Sequence, residues 1–130
     1  MAERPLSPHL SVYKFKYTLA TSILNRLAGL ILSLGFFLFV YWLVTLGAGA
    51  RAYAQARALL SLGLFKLVYA VLIAAFVYHL AAGVRHLIWD TGRGLDRASA
   101  QRSAWIVAGV SVIVTVILIY WLLRSGAYAR

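Results

Sequence analysis

The chain has 130 residues, of which 63% are hydrophobic and 12% are charged, whereas an ordinary soluble domain is roughly 45–50% apolar and about 25% charged. This composition argues against an ordinary water-soluble fold. Thirteen Lys and Arg against three acidic residues give a net charge of +10, and a basic excess is also typical of nucleic-acid binding. Most of these cations lie between long apolar runs, however, where basic residues orient helices and contact anionic lipid. We therefore expect a membrane protein that has no nucleic-acid partner.

Cysteine is absent from the chain, so it has no thiolate for an iron–sulfur cluster, no disulfide and no Cys-x-x-Cys-His motif for c-type haem. Any redox cofactor would be held non-covalently, by His or Met. The only Met is the first residue. The candidate ligands are therefore the three histidines, His9, His79 and His86.

The first 21 residues mix two prolines with apolar residues and with Lys14 and Lys16. A segment of this kind can lie on the membrane surface or dock under a soluble partner. A solvated tail fits the composition equally well. We interpret residues 1–21 as an interfacial leader.

Three long apolar runs follow the leader, and the second of them contains His79. The runs are 27–46, 67–84 and 103–123. Each approaches the ~20 residues that cross ~30 Å of hydrocarbon as a helix, and none alternates with the period of two that a membrane strand needs. We predict an all-α membrane protein, a single membrane-anchor domain over residues 1–130 with three transmembrane helices in a bundle. The predicted helices are about 22–46, 62–89 and 103–124.

Cations are more numerous on one predicted side of the membrane than on the other. One side carries Arg4, Lys14, Lys16 and Arg26 before the first helix, and Arg85, Arg93, Arg97 and Arg102 around the second connection. The opposite side carries Arg51, Arg57 and Lys66 in a loop, with Arg124 and Arg130 at the end. This asymmetry favours a cytoplasmic or matrix-side N-terminus. The leader is not Arg- and Ser-rich like a transit peptide, which favours a bacterial inner membrane over a mitochondrial one.

His79 lies well inside the second apolar run. An ionisable side chain at that depth is costly and is usually functional, although a neutral His can also bond a neighbouring helix. Gly83 and His86 follow one and two turns later on roughly the same face. The small residues Ala82 and Gly83 would leave room for a planar cofactor beside the ligand, but glycine also permits close helix packing.

Arg26 lies where the first apolar run begins, with Ser22 one turn earlier on the same face. An arginine here can snorkel to the headgroups. Alternatively, its planar guanidinium can pair with carboxylates such as haem propionates. Position alone does not separate the two interpretations.

Three motifs together resemble the cytochrome b subunit of succinate dehydrogenase. They occur in that family's order, and the match covers essentially the whole chain. The motifs are Arg4-Pro5-Leu6-Ser7-Pro8-His9-Leu10, Ser22-Ile23-Leu24-Asn25-Arg26, and His79-x-x-x-Gly83-Val84-Arg85-His86-Leu87-x-Trp89-Asp90-x-Gly92. The third is the most specific. One departure is Asn25, where the family often has His before the Arg, so the resemblance carries no role of that His to this chain.

The resemblance implies roles for individual residues. His79 matches the axial ligand of haem b, whose second ligand usually comes from a companion membrane subunit. Ser22 and Arg26 match positions beside the ubiquinone headgroup, and Arg26 is also near the haem propionates. Asp90, together with Arg85, matches the end of the motif near that quinone pocket. For His86, the resemblance leaves open a propionate or proton-path role and a structural one.

The implied function is that of a membrane anchor in respiratory complex II, a component of electron transport and the tricarboxylic acid cycle. Soluble flavoprotein and iron–sulfur subunits would oxidise succinate and deliver electrons to ubiquinone or menaquinone, and this chain alone would not be catalytic. Two alternatives stay open: a fumarate reductase anchor, and a membrane scaffold without a cofactor in which His79 and Arg26 only join helices.

Overall fold

A computed structural model describes residues 17–124 of the chain, with side chains from residue 19 onward. These residues form four helices and, within this range, no strand. The helices are α1 (Tyr17–Gly47), α2 (Ala50–Leu60), α3 (Gly63–Asp90) and α4 (Arg97–Arg124). The all-α prediction is therefore confirmed. Most of the predicted leader, including His9, lies outside the described residues.

Three of the helices, α1, α3 and α4, are long and apolar enough to cross a membrane, as predicted. They contain 31, 28 and 28 residues. At 1.5 Å per residue this is roughly 42–46 Å, which exceeds the ~30 Å of the hydrocarbon core. Both α1 and α4 consequently begin five or six residues before their predicted starts, because an apolar run marks hydrocarbon thickness and polar turns continue the helix beyond it.

Helix α2 replaces the loop that was predicted between the first two spans. Its sequence is rich in Ala, Leu, Arg and Gln, which are strong helix formers. Ala56 is fully buried in a helix that packs on α1, and the Tyr69 hydroxyl donates to the Leu60 carbonyl at 3.1 Å. Gly49 has φ 102°, a conformation that favours glycine, at the turn between α1 and α2. Lys66, counted above with the cations of the loop although the predicted helix begins at residue 62, lies in the first turn of α3.

Helix α3 lies between α1 and α4 and packs against both. The buried residues of these three helices are mostly small, and the small ones are Ala28, Ala75, Ala82, Ala100, Ala104 and Ser111. An added Cβ on Gly35 of α1 would overlap the Leu72 side chain of α3. Close approach through small residues is the usual way in which membrane helices pack.

Most large apolar side chains of the described helices point outward. Phe37, Leu64 and Trp105, for example, are 69–70% exposed. Exposed apolar surface of this extent indicates contact with lipid or with partner subunits. The core of this chain is correspondingly thin, so its surroundings decide much of its stability.

Candidate cofactor site

His79 lies at the contact between α3 and α1, partly buried, with its ring against the α1 backbone. Its Nδ1 is 3.2 Å from the Asn25 carbonyl oxygen. A carbonyl oxygen can only accept a hydrogen bond, so Nδ1 carries the proton and donates it. In the neutral imidazole this bond leaves the lone pair on Nε2, which is the form of histidine that ligates a metal.

Gly29, one turn after Asn25 on α1, makes room for the imidazole. A Cβ on Gly29 would be 3.2 Å from Cε1 of His79, which is tighter than normal contact. Sequence reasoning assigned the space beside the ligand to Ala82 and Gly83 on the same helix. The residue against the ring is instead Gly29 on the neighbouring helix, while a Cβ on Gly83 would meet nothing within 4 Å.

A cleft of about 520 Å³ opens beside this ring, lined by one α3 residue and one stripe of α1. We call it the His79 cleft, and its lining residues are Gly29, Leu32, Ser33, Phe36, Phe37 and His79. Ser33 donates its hydroxyl to the Gly29 carbonyl at 2.9 Å. The rest of the lining is apolar. The cleft therefore suits a largely apolar group that carries a metal ion for His79 to bind.

Ser22 and Arg26 continue the α1 stripe past one end of the His79 cleft. They precede Gly29 by seven and three residues, a spacing that keeps all three on one helix face. Both side chains are exposed. The structure therefore places the predicted hydroxyl and cation on the same side of α1 as the cleft, toward the N-terminal end of the helix.

Asn25 lies in the same turn, between Ser22 and Arg26. Its carbonyl oxygen holds His79, and its side-chain oxygen Oδ1 is buried and has no hydrogen bond within the described residues. Buried polar atoms nearly always have a partner. This oxygen therefore requires a partner from outside the described residues, which water can supply as well as a cofactor.

A second polar cluster joins α3 to the first turns of α4, and it consists of Arg85, Trp89, Ala100 and Ser103. Arg85 is 6% exposed, and it donates from Nε to the Ser103 hydroxyl at 2.9 Å and from Nη2 to the Ala100 carbonyl at 2.8 Å. Its guanidinium lies 4.0 Å from the centroid of a Trp89 ring. We call this group the Arg85 cluster. It fixes the α3–α4 angle with charged hydrogen bonds and a cation–π contact.

His86 and Asp90 lie further along α3 than the cleft. The Nδ1 of His86 donates to the Ala82 carbonyl at 2.7 Å, and its ring meets Trp89 edge-on at 5.3 Å between centroids. Asp90 is exposed and ends α3, eleven residues after His79 and so roughly 16 Å away along the axis. The structure thus brings His79 together with the stripe of Ser22 and Arg26, but it does not bring Asp90 into the cleft.

Sequence reasoning missed four contributors to this site: the Asn25 carbonyl, Gly29, Ser33 and Tyr78. The Tyr78 hydroxyl donates to the Thr21 carbonyl at 3.3 Å and ties α3 to the start of α1. A backbone carbonyl has no signature in sequence. Gly29 and Ser33 follow Ser22 and Arg26 at intervals of three or four residues, which places all four on one face of a helix. That spacing could have identified them from the sequence.

Comparison with known proteins gives one consistent result. The family model for the succinate dehydrogenase/fumarate reductase transmembrane subunit matches residues 1–118. The succinate dehydrogenase cytochrome b556 subunit of Paracoccus denitrificans is 37% identical over 114 residues, covering 88% of this chain and 88% of the relative. The corresponding b560 subunit of Reclinomonas americana is 34% identical over 125 residues, covering 92% and 85%.

A mitochondrial relative is similar to the same degree. The cytochrome b560 subunit of Mus musculus is 38% identical over 120 residues, covering 90% of this chain and 68% of the relative. The resemblance seen in the three sequence motifs is thereby confirmed. This chain belongs to the family of succinate dehydrogenase/fumarate reductase transmembrane subunits.

Proposed function

We propose that this chain is the haem b-binding anchor subunit of a succinate dehydrogenase and that it helps to form the site where quinone is reduced. The observation that carries the proposal is the arrangement of His79. A histidine within a membrane span is bonded through Nδ1 to a backbone carbonyl, so its Nε2 is available beside an apolar cleft. A neutral imidazole oriented in this way is a standard ligand for haem iron.

The residues around the cleft fit such a cofactor. Gly29 lets the imidazole lie against α1, and the apolar lining suits the face of a macrocycle. Arg26, on the same stripe, would pair with a haem propionate through its planar guanidinium, and His86 is a further candidate propionate partner. When bound, the haem supplies a one-electron store whose potential depends on its axial ligands and on the polarity around it.

His79 is the one haem ligand that we expect from this chain, so a companion membrane subunit would supply the second. His86 lies on the same helix and the same side as His79, so it cannot reach the opposite haem face. We therefore infer a haem shared between two anchor subunits, beneath the soluble flavoprotein and iron–sulfur subunits that oxidise succinate.

Quinone would bind at the N-terminal end of the same α1 stripe. The Ser22 hydroxyl would donate a hydrogen bond to a quinone carbonyl, and Arg26 would stabilise negative charge as it develops on that oxygen. Asp90, at the end of α3, would lie on the cytoplasmic side of this quinone site and outside the His79 cleft. The chemistry suits ubiquinone or menaquinone alike, because both present the same two carbonyls.

The test is a reduced-minus-oxidised spectrum of the assembled complex, with His79→Leu beside wild type. We expect the low-spin haem b absorption to be abolished or strongly altered in the variant. Val71→Leu is the matched control, because Val71 is an exposed residue of α3 two turns earlier, and it should leave the spectrum unchanged. A normal low-spin spectrum in His79→Leu would contradict the proposal, and the absence of any b-type band in wild type would favour the scaffold without a cofactor.

Expression of the chain alone tests whether the haem is shared. The isolated subunit should bind haem poorly, because it supplies one axial ligand. A stable bis-histidine spectrum from the isolated chain would overturn the shared site. The direction of catalysis, succinate oxidation or fumarate reduction, depends on the potentials of the quinone and of distant cofactors, so activity in both directions must be assayed.

We further propose a bacterial inner membrane as the location, with the N-terminus cytoplasmic. The native chain lacks cysteine, so single cysteines can be introduced without a background. Gln55→Cys in α2 should react with an impermeant maleimide added to intact cells, whereas Thr91→Cys, after α3, should react only in inverted vesicles. The opposite labelling pattern would reverse the orientation.

A further inference from the structure

A groove of about 760 Å³ runs along α3 and α4 and shares no residue with the His79 cleft. Phe76, Leu80, Val84 and Ile88 line it from α3. At about 100° per residue this stripe lies to one side of His79 on the helix and reaches the opposite face only at Ile88. Succinate oxidation, haem binding and quinone binding as described above leave this groove without a role.

The groove is polar at one end and apolar along the rest of its length. Arg85, Trp89, Ser99 and Ser103 line one end, near the α3–α4 connection. From Trp89 to Phe76, α3 continues for thirteen residues, or roughly 20 Å. Half of a ~30 Å hydrocarbon core is ~15 Å, so the apolar part can accommodate an acyl chain of one leaflet.

Arginines lie at and beside the polar end of the groove. Arg85 lines this end, with its guanidinium bonded to Ser103 and Ala100. Arg102 is not a lining residue, but it lies within one turn of the lining residues Ser99 and Ile106 on α4. Between residues 85 and 102 the chain has four arginines and two aspartates. Arginines close to a membrane surface attract anionic headgroups.

We propose that this groove binds an anionic phospholipid, with an acyl chain along α3 and α4 and the phosphate at the end formed by Arg85 and Arg102. A quinone tail would match the apolar part but brings no anion to the two arginines. A helix of a companion subunit would match the apolar part too, but it would need an acidic side chain at the level of the two arginines. The charge at one end and the apolar length together favour the phospholipid.

The first experiment fills the groove in the assembled, detergent-purified complex. Val110→Trp places a bulky ring on a lining residue, and Val112→Trp is the control, on an exposed residue of α4 outside the groove. Native mass spectrometry and phosphorus analysis should show about one phospholipid fewer per complex in Val110→Trp and no change in Val112→Trp. An unchanged phospholipid count in an assembled Val110→Trp complex would overturn the proposal, as would a quinone lost in place of a phospholipid.

The second experiment changes the charge without disturbing the packing, so it does not depend on the folding of a core variant. Arg102 is exposed, and Arg102→Gln should lower the preference of the delipidated complex for phosphatidylglycerol over phosphatidylcholine about fivefold, the effect of one basic residue near a membrane surface. Arg124→Gln, at the other end of α4, should leave it unchanged. If Arg102→Gln and wild type had the same preference for phosphatidylglycerol, an anionic headgroup at this end would be contradicted. A photocrosslink from position 110 to a companion subunit would show that protein covers the groove, which would also overturn the proposal.

Discussion

The two contacts that α3 makes differ in what holds them together. Toward α4, the guanidinium of Arg85 bonds a hydroxyl and a carbonyl and lies over an indole ring. Toward α1, the contact is made by glycine and alanine, with two weak side-chain bonds to α1 carbonyls, from Tyr78 at 3.3 Å and His79 at 3.2 Å. Charged and polar side-chain bonds thus hold the α3–α4 contact at its Arg85 end, while the α1–α3 contact has only two weak bonds, beside the His79 cleft and the buried Asn25 oxygen.

This difference indicates a division of labour along one helix. The Arg85 cluster is a joint that the chain builds from its own residues, whereas the α1 side of α3 is the surface that a haem and a companion subunit would complete in the proposed function. Substitutions at the α1 side should therefore change electron transfer while they leave the fold intact. Substitutions at the α4 side should lower the stability of the fold while they leave electron transfer unchanged.

The largest effect on function is expected at the Ser22 and Arg26 stripe. Ser22→Ala deletes a donor, and Arg26→Lys keeps the charge but loses the planar fork. Loss of a hydrogen bond to a developing charge costs roughly 1.5–3 kcal/mol, so quinone turnover should fall by about one to two decades. Succinate oxidation with a soluble artificial acceptor should survive in both variants.

Ser61→Ala and Arg57→Lys provide matched controls, because both residues are exposed and lie in or beside α2, at the other end of α1. They should leave quinone turnover unchanged. Full quinone reductase activity in both Ser22→Ala and Arg26→Lys, in properly assembled complex, would move the quinone pocket elsewhere and leave Arg26 as a snorkelling anchor.

The largest effect on stability is expected at the Arg85 cluster. Arg85→Met keeps much of the apolar stem but removes the charged hydrogen bonds to Ser103 and Ala100. The free energy of unfolding, measured by denaturant titration in detergent, should fall by roughly 1.5–3 kcal/mol. Arg93→Gln, in the exposed connection between α3 and α4, is the control. A lost haem b spectrum with unchanged stability in Arg85→Met would reverse the proposed division between the two sides of α3.

A subtler effect is expected at Gly29. Gly29→Ala would bring a Cβ to 3.2 Å from Cε1 of His79, so the imidazole must move by a few tenths of an ångström and its bond to the Asn25 carbonyl must change. The complex should assemble, with a shifted haem potential and altered electron paramagnetic resonance g-values. Gly109→Ala in α4, where an added Cβ meets nothing within 4 Å, should change neither. Identical spectra and potentials in Gly29→Ala and wild type would show that the ring does not rest on α1 as described.

Sequence alone was sufficient for the features that the membrane itself dictates. Hydrocarbon thickness requires long apolar runs, which located α1, α3 and α4, and the cost of an intramembrane imidazole drew attention to His79. The starts of α1 and α4 were predicted too late in the chain because polar helical turns outside the hydrocarbon look like loops in a search for apolar runs. Helix α2 was missed for the same reason.

The details of the cleft were beyond sequence because they depend on which helix faces lie against each other. Gly29 and Gly35 belong to one apolar run, yet one lies under His79 and the other under Leu72. The carbonyl that orients His79 belongs to Asn25, whose side chain carries no hint of that function. Only the pairing of α1 with α3 shows these roles.

The smallest effect is expected at Asp96, which begins α4 beside the Arg85 cluster. The backbone N–H of Ser99 donates to its carboxylate at 2.9 Å, and this bond, followed by one from the Ser99 side chain, lowers the pKa of Asp96 below its ordinary value of 3.8. A carboxyl whose folded pKa is depressed adds stability above its unfolded pKa, and that stability is lost as pH falls through the folded value. Because Asp96 is fully exposed, the effect should be a slight destabilisation of wild type in acid below about pH 4.

Asp96→Ala should lower the melting temperature slightly at neutral pH and remove this contribution in acid. Asp96→Asn keeps an N-cap acceptor without the titrating charge, so it should stay close to wild type near neutrality and lack the acid-dependent loss. Melting curves of the three proteins in detergent, at about pH 6 and about pH 3, would measure this, and the same acid-dependent loss in Asp96→Asn as in wild type would assign that loss to another group.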